Sequence, residues 1–113
     1  MSESYALERH PTGSRYICSP PPMDTDDDTV VLALRGYEEA LIANGFDSQS
    51  TDLEYDMQGD FVSWRRGDEN FIVTTDEQFY RKFVKATKIA KALNLMEKGD
   101  RITLFQAILY NNY

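Results

Sequence analysis

Thr29-Val30-Val31-Leu32-Ala33-Leu34 constrains this chain more than any other stretch, because it is uncharged, continuous and rich in β-branched side chains. Unbroken apolar character, rather than alternation, is what a strand buried on both faces requires. The run is entered through Asp24-Thr25-Asp26-Asp27-Asp28, so the most apolar strand starts from the densest patch of acid. Residues two apart in an extended segment share a face, which can align Asp24, Asp26 and Asp28. Two carboxylates held close repel each other, and a divalent cation relieves that repulsion. Magnesium suits such a pair, since it accepts one or two carboxylates together with phosphate oxygens. An acidic run is also commonly a solvated loop. An EF-hand loop is excluded, because Thr29 stands where glycine is needed and Arg35 where the last carboxylate is needed.

The rest of the chain reads as elements around this strand. Residues 1–23 read as irregular: His10-Pro11-Thr12-Gly13-Ser14 and Ser19-Pro20-Pro21-Pro22 are dense in breakers, and Pro11 disfavours a central strand before Gly13. Gly36 to Asn44 predicts a short helix with Gly45 just past its end. Residues 47–60, with five acids and no base, read as a loop, with a weak strand near Leu53 to Met57. Two strands, Phe61 to Arg65 and Asn70 to Thr74, flank Arg66-Gly67-Asp68-Glu69 as an antiparallel hairpin. Asp76 to Leu93 predicts an amphipathic helix with Phe79, Phe83, Ala86, Ala90 and Leu93 inward, capped by Thr74 with Glu77 or Thr75 with Gln78. A last helix runs from Asp100 to about Tyr110, with Ile102, Phe105, Ile108 and Leu109 inward. The order predicts a single α+β domain over 1–113, a small mixed sheet with helices packed on one side and 1–12 irregular.

Charge sorts the functions. The 113 residues carry 19 acids and 12 bases, a net of −7, which excludes a broad wrapper of DNA. Residues 1–60 hold 13 of the acids and 3 of the bases, so the excess is local. No apolar run reaches the roughly 18 residues of a membrane span. The N-terminus has neither a basic start nor an apolar core, so no secretion signal is expected and a cytoplasmic chain is. Cys18 is the single cysteine and has no internal disulfide partner.

Gly13-Ser14-Arg15, then a Pro-rich spacer, then Asp24-Thr25-Asp26-x-Asp28 leading into Val30-Val31-Leu32 resembles the signature of the nucleotidyltransferase superfamily. The later Phe61-Val62-Ser63-Trp64-Arg65, Asn70-Phe71-Ile72-Val73-Thr74 and Asp100-Arg101-Ile102 segments resemble small nucleotidyltransferase-like proteins of tailed bacteriophages. The resemblance implies that Asp26 and Asp28 bind Mg2+, and that Gly13 and Ser14, with Arg15 beside them, hold the phosphates of a nucleoside triphosphate. It implies a third carboxylate on a neighbouring strand, where this chain offers Asn70 with Glu69 adjacent.

Three functions follow from that likeness. One is transfer of a nucleoside monophosphate to a hydroxyl on an RNA or protein acceptor, with Glu69 joining Asp26 and Asp28 as a catalytic group. A second is a degenerate fold with which a phage binds and inhibits a host protein, in the host cytoplasm, through the acids of 47–60. A third is a sensor that binds nucleotide without turnover. His10 reads as a loop histidine, Trp64 as packing. Arg65 and Arg66 read as partners of Asp60 or Asp68 that are also within reach of a triphosphate.

Overall fold

The computed structural model describes residues 5–23, 26–49 and 60–111, and within them a five-stranded mixed sheet carries four helices. The strands are β1 (Ala6–Thr12), β2 (Asp27–Ala33), β3 (Asp47–Gln49), β4 (Val62–Arg66) and β5 (Glu69–Thr74). The helices are α1 (Gly13–Ile17), α2 (Glu38–Ala43), α3 (Glu77–Ala92) and α4 (Lys98–Tyr110). Sheet order is β1-β2-β5-β4-β3. All pairings are antiparallel except β2 with β5, which is parallel.

The apolar run forms β2, which has a paired strand on each side, the edge strand β1 and the interior strand β5, and Val30, Val31, Leu32 and Ala33 are all buried. Alternate residues go to opposite faces of the sheet. Val30 and Leu32 join Ile17, Phe61, Phe79, Phe83, Ala86, Phe105 and Leu109 in the core beneath α1, α3 and α4. Val31 and Ala33 join Tyr37, Leu41, Phe46, Trp64, Phe71 and Val73 on the reverse face. The α+β architecture is as the sequence reads. Three helices share one face, and the short α2 contributes Tyr37 and Leu41 to the other, because a strand apolar on both sides needs cover on both.

The N-terminal segment departs from expectation. Residues 6–12 are a strand and 13–17 a helical turn, where breakers had predicted irregular chain. Pro11 is tolerated because β1 is the edge of the sheet, where a missing N–H costs no interior ladder bond. The strand is tied down by side chains 73 and 75 residues away. Arg81 of α3 holds the Glu8 carboxylate with two N–H donors, and the Thr12 hydroxyl donates to Thr87, which in turn donates to the Phe83 carbonyl. Local composition could not show these contacts.

Other differences are smaller. The α3 N-cap is Asp76, whose carboxylate accepts from the Gln78 and Phe79 amides, rather than either expected capping box. Thr74 instead accepts from the Asp76 amide. Leu93 lies past the helix end and is exposed, and α4 begins at Lys98. Residues 47–49 pair with β4 as a short edge strand rather than a loop. The weak strand expected near 53–57 lies outside the described residues. No helix among the described residues is long and apolar enough to cross a membrane.

Candidate functional site

A cleft of about 530 Å3 opens on the face of the sheet that carries α1, α3 and α4. Strand register explains its polar lining. Thr12, Asp28, Asn70 and Arg65 stand in register across β1, β2, β5 and β4, so one row of side chains crosses four strands. Two positions along, Ile72, Ser63 and Gln49 form a second row on the same face. All seven line the cleft, together with Gly13, Ser14 and Asp26. Its floor is apolar, made by Ile17, Phe61, Phe83 and Phe105.

The sequence motif comes together as a contact between its two halves. Gly13 has φ +77°, a left-handed conformation that side-chain-bearing residues avoid. A Cβ there would stand 2.2 Å from Asp28 Oδ2. Glycine is therefore required twice, for the backbone angle and for the approach of Asp28. Ser14 follows and lines the same cleft as Asp26 and Asp28.

The two acids of the pair differ in environment. Asp26, just before β2, accepts a hydrogen bond from Arg65 Nη2 at 3.0 Å, and this guanidinium holds its pKa below the ordinary value. Asp28 is more enclosed, and burial raises its pKa to about 6; the Asn70 hydrogen bond opposes that rise and the neighbouring charge of Asp26 adds to it. Arg65, attracted to both acids, occupies the position of a counter-cation. The acid it meets is Asp26.

Asn70 is the residue that faces the pair from β5. Its Nδ2 donates to Asp28 Oδ1 at 3.2 Å, while its own Oδ1 is buried with no hydrogen-bond partner. Glu69 is one residue away and so lies on the opposite side of the strand. It accepts from Arg66 at 2.9 Å and does not line the cleft. The expected third acid is thus an amide here, and the adjacent carboxylate cannot substitute because the period of a strand is two.

Oxygen donors on this wall fit a hard cation. Asp26, Asp28 and the unpartnered Asn70 Oδ1 supply two carboxylates and one carbonyl, a set suited to Mg2+ with phosphate oxygens completing the shell. Among the described residues no three His, Cys, Asp or Glu side chains gather as a metal cage. Asp24 lies outside the described residues.

Arg15 is half-exposed, 3.8 Å from Asp68, and acts on the cleft from outside by lowering the Asp26 pKa. His10 is on β1, where Nδ1 donates to the Pro11 carbonyl and the ring meets Tyr16 edge-on; it does not line the cleft. Ser63, Gln49, Lys98 and Arg101 line it without having been singled out for it. The hairpin register would have placed Ser63 two positions from Arg65. Arg101 sits four residues before Phe105, on the buried face of α4, where Ile102 had been expected.

No protein-family model, curated protein or solved structure matches this chain.

Proposed function

We infer that this chain is a minimal protein of the nucleotidyltransferase type, which binds a nucleoside triphosphate with Mg2+ in the cleft. The observation that carries the reading is the Gly13–Asp28 contact, which joins a Gly-Ser turn to a carboxylate pair with no room for a Cβ between them. Asp26 and Asp28 would hold the metal, with Asn70 Oδ1 beside them. Gly13 and Ser14 supply amide and hydroxyl donors to phosphate oxygens, and the apolar floor receives the nucleoside. Bound Mg2+ would neutralise phosphate charge and orient an in-line displacement. With a cation held by Asp26, Arg65 would no longer be needed as its counter-charge, and the guanidinium would be available to phosphate.

Acceptor activation is the weak step. Transfer to a hydroxyl on RNA or protein needs a group that accepts its proton, and an amide at Asn70 cannot do so. Asn70 therefore favours the second reading over full catalysis, a phage-type binder that engages a host protein or holds nucleotide without turning it over.

Isothermal titration tests the first claim. Weak Mg2+ binding should strengthen when nucleotide is present, and the coupling should vanish in Asp26→Ala and Asp28→Ala. Absence of any nucleotide binding with Mg2+ present removes the reading. A labelled-nucleotide transfer assay and a host pull-down then separate enzyme from binder.

A further inference from the structure

Arg101 is the only charged side chain among the described residues that the fold buries, at 9% exposure. Its Nη1 donates to the Leu95 carbonyl at 2.9 Å and the Met96 carbonyl at 2.8 Å, and lies 3.4 Å from Cys18 Sγ. These acceptors are neutral. No described carboxylate pairs with it, although a buried charge is costly without a counter-charge. Nε and Nη2 make no hydrogen bond among the described residues. Neither is sealed away, because the only buried side-chain nitrogen or oxygen there without a partner is Asn70 Oδ1. Arg101 lines the cleft, which gives these two unbonded nitrogens an open space to address.

Nε and Nη2 form the side-by-side donor edge that grips two oxygens of one anion. Lys98, one turn earlier on α4, lines the same cleft and adds a second positive charge. Position separates this wall from the carboxylates. Arg101 touches Cys18, just after α1, whereas Gly13 at the start of α1 meets Asp28. A five-residue helix spans about 7 Å at 1.5 Å per residue, so the two walls serve different groups of a ligand.

We propose that Arg101, supported by Lys98, is an anion subsite of the cleft that takes a phosphate group at the end remote from Asp28. The anchor is Nη1, locked by two carbonyls, and the free edge does the binding. The choice of phosphate over other anions rests on the nucleotide reading above. That phosphate belongs either to the nucleotide's own chain or to a phosphorylated acceptor.

The test is an NMR titration of the full chain with inorganic phosphate, without metal and at low salt. The Arg101 side-chain N–H and the Cys18 amide should shift saturably with a Kd of about millimolar order. Arg101→Lys keeps the charge and can still reach the carbonyls but loses the two-donor edge, and should weaken binding at least about tenfold. Lys98→Gln should weaken it by about threefold. Arg101→Gln should abolish it, and a folded Arg101→Lys spectrum keeps the test valid if that variant unfolds. No saturable shift in the wild type, unchanged affinity in folded Arg101→Lys, or equal affinity for acetate would each overturn the proposal. Adding Mg2+ and a nucleoside triphosphate separates the sources: displacement of phosphate assigns the subsite to the nucleotide chain, and joint occupancy assigns it to an acceptor. Mn2+ broadening at residues 26–28 reads the other wall independently. Its absence with phosphate binding intact would sink the metal-nucleotide reading and leave Arg101 as an anion site.

Discussion

Asp28 is placed where its charge is expensive. A pKa of about 6 in place of 3.8 corresponds to about 3 kcal/mol of preference for the protonated form. The folded state binds this proton more tightly than the unfolded chain, so the contribution is full below pH 3.8 and is lost as pH rises through about 6. Asp28→Asn removes that loss and still accepts from Asn70 Nδ2. Thermal melts should show the variant more stable than wild type by up to about 3 kcal/mol above pH 7 and close to equal near pH 4. A constant difference across that range would mean that Asp28 is not held as described. The neighbouring amide gives the reciprocal test. Asn70→Asp puts a carboxylate in register with Asp28, so the metal-free protein should lose about 1–3 kcal/mol, and Mg2+ should restore most of it. Gain of nucleotide transfer in this variant, measured with a labelled triphosphate, would identify the amide as the missing catalytic element.

Elements show which parts of the molecule local sequence determines. The long helix α3 was legible because Phe79, Phe83, Ala86 and Ala90 repeat at three- and four-residue steps, and all four are buried. Its start was misread because three adjacent polar residues can each cap, and only the path of the chain out of β5 selects Asp76. Asp76→Ala should therefore cost about 1 kcal/mol in chemical denaturation, whereas Thr75→Ala should cost little. The β4–β5 hairpin was legible from its turn residues, and Gly67 indeed has φ +63°. In contrast β1 was hidden, because its evidence lies in partners: the β2 ladder, Arg81 and Thr87. The same holds for the cleft. Gly13, Ser14, Asp26 and Asp28 could be picked out by their spacing, but parity alone decides that Asn70 faces the pair and Glu69 does not. Arg101 was obscured by the habit of reading charge as surface.

For the whole molecule, the acid excess of residues 1–60 is spent in several places. Glu8 fastens the edge strand to α3, Asp26 pairs with Arg65, and Asp28 is half-buried in the cleft. The guanidinium partners of Glu8 and Asp26, Arg81 and Arg65, both come from the basic half, so the polarity of the chain is converted into contacts between its halves. Both sheet edges are also blunted, one by Pro11 and flanking charge on β1, the other by the shortness of β3.

The single parallel pairing has a kinetic consequence. Asp28 and Asn70 are neighbours in space but 42 residues apart, and joining ends across a segment of that length costs about 3 kcal/mol of chain entropy. Hairpin β4–β5 and helix α3 are local and can form early; the β2–β5 seam cannot. The cleft straddles that seam. Refolding followed through Trp64 fluorescence should therefore coincide with recovery of nucleotide binding in one slow phase, and no early species should bind. Newly made chain would stay blank to ligand until residues 69–74 have been synthesised and have closed onto β2, so competence arrives all at once, near the end of folding.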